Sequence, residues 1–326
     1  MTVDGRWRGV PVLVTGGQGF VGSWLVERLL DEGAHVVVTR RDAPARSRFQ
    51  VHGLEARCDV VLADLTDHEA LVRVLNEYGV RAVFHLGAQT IVGTANRSPL
   101  STFEANVRGT YNLLDACREN GALERIVVAS SDKAYGAQDE LPYTEAFALR
   151  PTYPYDVSKA CADLIARSYA VTYDLPLAVT RLANVYGGGD INFSRVVPDS
   201  ARALVDGKPP VVRSDGTPER DYIYADDAVE AYLTVAASLD RPELRGRAWN
   251  AGAGRPVPVL EMVRRMIAAS GRDVEPVIAG TGALHGEIDR QYLDSTLIRE
   301  ELGWAPRWDL DSGLSETYRW YERHLR

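Results

Sequence analysis

Six short runs, almost wholly apolar and rich in β-branched residues, recur through the first part of this 326-residue chain, at 12–15, 34–39, 60–62, 82–86, 126–129 and 178–180. Stretches of helical periodicity separate them, such as Phe103, Val107, Tyr111 and Leu114 at spacings of three and four. Strands apolar on both faces must be covered on both faces, and strands alternating with helices join in parallel. The pattern predicts a doubly wound α/β sheet. After Tyr186 the texture changes: Gly187-Gly188-Gly189-Asp190, Lys208-Pro209-Pro210 and Asp215-Gly216 are loop and turn signals between smaller pieces. A domain over residues 1–185 and a smaller α/β domain over 186–326 are expected. Residues 226–237 read as a helix with an acidic start, within a segment near 226–250 that returns to the first domain.

Composition removes several function classes. The 37 Lys and Arg stand against 45 Asp and Glu, a formal charge of -8, which argues against a nucleic-acid partner. Cys58, Cys117 and Cys161 are odd in number and far apart, so neither a disulfide framework nor a metal site is expected. No apolar run approaches the roughly 18 residues that span a bilayer. The first one leads straight into a glycine-rich loop, unlike a signal peptide. A cytoplasmic protein without a membrane partner is expected.

That loop carries Gly16-x-x-Gly19-x-x-Gly22 between the first strand and the first helix, with Phe20 and Val21 opening the helix. Such glycines let the backbone turn tightly and approach a pyrophosphate lying at the positive end of the helix. The fold is therefore predicted to be of the Rossmann type, binding a nicotinamide dinucleotide. At the end of the second strand a carboxylate would bond the ribose hydroxyl of NAD, whereas an arginine accommodates the extra phosphate of NADP. Arg40 and Arg41 stand there, favouring NADP, with NAD as the alternative. Asp64, after the third strand, could accept from the adenine amino group or cap the next helix.

Tyr155 and Lys159 are one helical turn apart. Removing a hydride from a secondary alcohol requires a base for its proton, and a tyrosine with a reference pKa of about 10 needs a nearby cation to serve. Ser130-Ser131 closes the fifth strand at the edge where such sheets bind ligands.

With these elements the chain resembles the extended short-chain dehydrogenase/reductases that act on nucleotide sugars. The resemblance rests also on His85-Leu86-Gly87-Ala88-Gln89, Asn106-x-x-Gly109-Thr110, Ser130 to Gly136, Arg181 to Gly187, Arg220-Asp221-Tyr222-Ile223-Tyr224 and Leu302-Gly303-Trp304. It implies C4 oxidation of the sugar, with Tyr155 as base, Lys159 orienting it and Ser131 bonding the same oxygen. It also implies that Leu65, Leu86 and Ala88 line the cofactor, and that Gln89, Asn184, Arg195 and Arg220 hold the nucleotide-diphosphate hexose. One departure is His285 before Gly286-Glu287, where many members place an arginine for a phosphate.

Asp132 and Lys133 follow the serine, where similar epimerases carry small or neutral residues. The CDP-glucose 4,6-dehydratase-like group has Asp-Lys at this point, and Gly187 to Asp190 and Arg195 to Asp199 also resemble it. A 4,6-dehydratase is expected, with Asp132 and Lys133 as the acid and base of water loss; the alternative is a 4-epimerase, including the uronic acid type. GDP-mannose 4,6-dehydratases, similar at the end of the second strand, pair arginines there with NADP. The helices near 102–117 and 155–169 are apolar on more than one face, and the resemblance implies that they form a homodimer interface.

Overall fold

A computed structural model describes residues 5–42, 47–281 and 288–325. Its strands are β1 (Pro11–Thr15), β2 (His35–Arg40), β3 (Asp59–Leu62), β4 (Ala82–His85), β5 (Arg125–Ser131), β6 (Leu177–Leu182), β7 (Asn184–Tyr186), β8 (Val211–Val212), β9 (Glu219–Tyr224), β10 (Ala248–Ala251), β11 (Pro256–Pro258), β12 (Val277–Ile278) and β13 (Arg290–Gln291). Seven of them form one sheet in the order β3-β2-β1-β4-β5-β6-β10. The first five in that order pair in parallel. The chain runs outward from β1 to β3, then crosses back to β4 on the other side of β1. This reversal opens a crevice beyond the carboxyl ends of β1 and β4, where doubly wound sheets bind their ligands.

The helices are α1 (Phe20–Asp31), α2 (Arg48–Val51), α3 (His68–Glu77), α4 (Val92–Arg97), α5 (Pro99–Phe103), α6 (Gly109–Asn120), α7 (Pro154–Tyr173), α8 (Val196–Val205), α9 (Ala225–Ser238), α10 (Val259–Ser270), α11 (Thr296–Leu302) and α12 (Leu310–His324). Among the described residues, no helix is long and apolar enough to cross a membrane. Both faces of the sheet are covered, which explains the uninterrupted apolar runs. Leu13, Val37, Val83 and Ile126 pack with Leu71 of α3 and Leu113 of α6. Their alternates Val12, Val14, Val36 and Val38 are equally buried. Between α5 and α6 the residues Glu104–Arg108 form a π-helical turn. Thr110, Leu113, Leu114 and Cys117 of α6 face inward, while Tyr111, from the apolar periodicity noted in the sequence, is 40% exposed.

The chain divides into two compact units. The first comprises residues 1–136, 148–181 and 229–249, and the second 137–147, 182–228 and 250–326. Residues 137–147 group with the second unit although they fall within the first 185. In the second unit β9 lies between β11 and β13 and also pairs with β7, while β8 and β12 form a separate ribbon. Asp221 in β9 organises this unit. Its carboxylate accepts from the backbone N–H groups of Ala253, Gly254 and Leu293.

Candidate active site

The glycine loop is a cradle that side chains would fill. Gly16 has φ +70°, and a Cβ on it would lie 2.7 Å from the nitrogen of Gly87, after β4. A Cβ on Gly22 would lie 2.2 Å from the carbonyl oxygen of Gly16. Gly19 is the N-cap of α1 and supplies no side-chain cap, and the first turn contains no acidic residue. The first N–H groups of α1 are thus open to an anion, and no carboxylate opposes one. These residues fit the pyrophosphate of a dinucleotide.

The rest of the expected cofactor wall is placed around this cradle. Leu65 approaches Gly87 and Gly109 so closely that a Cβ on either would meet its side chain at 2.9 and 2.8 Å. Leu86 and Ala88 are half-buried just beyond β4. Asp64 accepts from the backbone and hydroxyl of Thr66 at 2.8 and 2.7 Å. The cap of α3 is Asp67, whose side chain accepts from Ala70, so the capping alternative for Asp64 does not hold: its carboxylate closes a turn three residues earlier. Arg40 donates to Glu55 at 2.8 Å, and Arg41 to Asp42 at 2.6 Å.

The side chains expected from the sequence to carry the reaction gather where β5 ends. Ser131 caps the turn Asp132–Tyr135, accepting from the Lys133 N–H at 3.2 Å and donating to Asp132 Oδ1 at 2.9 Å. Asp132 is 2% exposed. Proline at its first position starts α7 where Tyr155 and Lys159 fall one turn apart, and α7 packs on the 132–135 turn. Tyr155 and Lys159 are both buried. Lys159 Nζ donates to the Ala129 carbonyl at 2.9 Å, and burial lowers its ammonium to about 8. It is therefore still charged at neutral pH beside the tyrosine one turn away.

A buried chain of hydrogen bonds, absent from the sequence reading, joins the crevice to α7. His85 is bonded to Thr15 Oγ1 at 2.7 Å and to Thr110 Oγ1 at 3.0 Å. Thr110 donates to the Asn106 carbonyl. The Asn106 side chain donates to the Gln89 carbonyl and to Ser158 Oγ, and accepts from the Gln89 N–H. Ser158 donates to the carbonyl of Tyr155. Burial, with a smaller effect of the Lys159 charge, holds His85 down to about 3, so it is a neutral structural bridge. The π turn places Asn106 at the centre of this chain, consistent with the frequency of such turns at functional sites. Asp156, also outside the sequence reading, is 5% exposed beside Tyr155. Its sequence position gave no signal, since an acid in the first turn of a helix is ordinarily solvated.

Gln89 accepts from the Ile91 N–H through its side chain. In the second unit Asn184 stands opposite Tyr222 in the β7–β9 pairing, and Arg220 is two residues before Tyr222. With a period of two, Asn184 and Arg220 share one face of that sheet. Asn184 donates to the Asp221 carbonyl, and Arg220, 8% exposed, donates to the carbonyls of Glu219 and Asp289. Arg195 is bound to Asp190 at 2.9 Å. His285 lies outside the described residues.

A model of the NAD dependent epimerase/dehydratase family matches residues 12–252. The chain belongs to this family. A relative in it, the CDP-glucose 4,6-dehydratase of Salmonella typhimurium, is 30% identical over 98% of this chain and 92% of its own length. The UDP-glucose 4-epimerase of Mycolicibacterium smegmatis is 31% identical over 95% of this chain and 97% of its own. Among solved structures, the dTDP-glucose 4,6-dehydratase DesIV of Streptomyces venezuelae with NAD and TYD bound superposes with a TM-score of 0.85 at 31% identity, covering 96% of this chain and 97% of that one. Dehydratases and epimerases of nucleotide sugars thus match this family member to similar degrees.

Proposed function

We propose that the protein is a nucleotide-sugar 4,6-dehydratase, converting a nucleotide-diphosphate hexose into its 4-keto-6-deoxy form. The observation that carries this reading is the acid–base pair directly after Ser131: a buried Asp132 and its neighbour Lys133, on the turn against which the Tyr155 helix packs. C4 oxidation needs only Ser131, Tyr155 and Lys159. Loss of water across C5 and C6 needs two further groups, a base for the C5 proton and an acid for the leaving hydroxyl.

A nicotinamide nucleotide, held by Gly16, Gly19, Phe20, Val21 and Gly22, supplies the hydride acceptor and donor. Tyr155, as phenolate, takes the C4 hydroxyl proton, and the Lys159 ammonium stabilises that phenolate. Ser131 would turn its hydroxyl from Asp132 to donate a hydrogen bond to the same oxygen. The new ketone acidifies C5–H, Lys133 as neutral amine takes that proton, and Asp132 as carboxylic acid protonates the departing C6 hydroxyl. The C5–C6 alkene so formed would take the hydride back at C6 and the Lys133 proton back at C5, giving the 4-keto-6-deoxy sugar. Gln89, Asn184, Arg195 and Arg220 hold the diphosphate sugar. Because Arg195 is engaged with Asp190, its contact would require that pair to be shared or opened.

The dinucleotide is read as NADP, because the end of β2 offers Arg40 and Arg41 in place of a ribose-binding carboxylate. The Arg40–Glu55 pair would then rearrange around the additional phosphate. NAD as the sole nucleotide extracted from the purified protein would overturn this. The protein is read as a homodimer through α6 and α7, where Tyr111, Leu164 and Val171 are 40, 54 and 80% exposed. A monomeric mass in solution at micromolar concentration would contradict it.

A second reading, a 4-epimerase on a hexose or uronic acid, is favoured by the similarity to the Mycolicibacterium smegmatis enzyme. It shares the Tyr155 step and makes no use of Lys133. Lys133→Ala separates the two: a dehydratase variant should lose elimination and accumulate reduced nucleotide on adding substrate. Interconversion of C4 epimers at the wild-type rate would establish the epimerase.

A further inference from the structure

A carboxylate reaches the end of β2 from elsewhere in the chain. β2 pairs with β1 so that Thr39 stands beside Thr15, the residue before the glycine loop. Arg40 is the next residue. It therefore lies at the carboxyl edge, one strand over from the pyrophosphate cradle, where such a fold meets the adenine-side ribose of its dinucleotide. Its backbone is fixed there, because it pairs with Leu62 of β3 and its carbonyl accepts from the Ala63 N–H at 3.0 Å. From this position Arg40 Nη1 donates to Glu55 Oε1 at 2.8 Å.

Glu55 belongs to a turn of 3₁₀ helix, Leu54–Arg57, that is pinned on both sides of it. Leu54 is wholly buried, and the Cys58 thiol donates to the Leu54 carbonyl at 3.2 Å. Arg57 pairs with Asp31, the last residue of α1, at 2.7 Å. The turn thus holds the Glu55 carboxylate against a residue 15 positions earlier. Arg41, the second arginine at this edge, donates instead to its own neighbour Asp42.

We propose that Glu55 is a specificity-determining residue for the dinucleotide: it occupies the Arg40 guanidinium as a resident counterion, and the extra phosphate of NADP binds by displacing it. This rests on the NADP reading. The Arg40 side chain is 32% exposed and that of Glu55 48%. An ion pair so open to solvent is weak and screened by salt. A phosphate monoester carries more charge than a carboxylate and can take two parallel hydrogen bonds from one guanidinium, so it wins the exchange. The ribose hydroxyl of NAD has no charge and leaves the pair closed. Glu55 therefore lowers the affinity for NADP, by holding its anchor and by repelling its phosphate, and has no such effect on NAD.

The test titrates wild type, Glu55→Gln and Arg40→Gln, each stripped of nucleotide, with NAD and with NADP by calorimetry at low and high salt. Wild type should prefer NADP, and Arg40→Gln should lose that preference. Glu55→Gln should bind NADP about five- to tenfold more tightly at low salt, with the gain shrinking at high salt. Its affinity for NAD should stay within about twofold of wild type, which also shows that the cradle is intact. Unchanged NADP affinity in Glu55→Gln, or equal tightening of both nucleotides, would overturn the proposal while leaving the NADP reading in place. So would weaker NAD binding in Glu55→Gln, the mark of a carboxylate that holds the ribose hydroxyls. A wild type that prefers NAD, with NADP binding unaffected by Arg40→Gln, would overturn the NADP reading and this proposal with it.

Discussion

Lys159 Nζ donates to the carbonyl oxygen of Ala129 at 2.9 Å, which ties the second turn of α7 to the strand that ends in Ser131. Replacing Tyr155 by Phe, or Lys159 by Met, should reduce C4 oxidation by roughly 10²- to 10⁴-fold, with no reduced nucleotide appearing on adding substrate. Burial holds the Lys159 ammonium at about 8, below its ordinary 10.5. The unfolded chain therefore binds this proton more tightly than the folded one, and the Lys159 contribution makes stability rise with pH between those values. Thermal unfolding at pH 7 and 10 should show that rise diminished in Lys159→Met.

Gly22→Ala tests the cradle. The added Cβ would sit 2.2 Å from the Gly16 carbonyl oxygen and 2.8 Å from Gly17 Cα, both backbone atoms, so the loop must open. A stability loss of about 1–3 kcal/mol is expected from this overpacking, together with release of bound nucleotide on gel filtration. Gly93→Ala is the control, since its nearest contact is the far end of Arg97 at 3.6 Å.

Asp163 of α7 and Arg181 of β6 form a two-point pair at 2.8 and 2.9 Å, with side chains 0 and 2% exposed, and Arg181 also donates to the Tyr135 hydroxyl. Asp163→Ala would strand a buried guanidinium, at a cost of about 3–5 kcal/mol. Urea unfolding measures this directly.

Much of this was legible in the sequence because its signals are local. β1 to β6 coincide with apolar runs, the loop glycines follow a strand, and Tyr155 and Lys159 reveal their common face through spacing alone. β10 gave no such signal: Ala-Trp-Asn-Ala is not an apolar run. Asn250 is buried there only because its side chain donates to the Tyr143 and Asp294 carbonyls and its backbone to Glu145. Those partners also show why 137–147 groups with the second unit. Asp156 and Asp163 read as ordinary surface acids of a helix until their burial is known. Asp190 gave no hint of the pair with Arg195, five positions on, which the four intervening residues bring together.

The most direct measurement is to incubate the purified protein with UDP-, dTDP-, CDP- and GDP-hexoses and weigh the products by mass spectrometry. At least one nucleotide hexose should yield a product lighter by one water, with no net oxidation or reduction of the nucleotide cofactor. A product of unchanged mass and inverted C4 configuration, without a dehydrated one, would contradict the assignment of Asp132 and Lys133 to elimination.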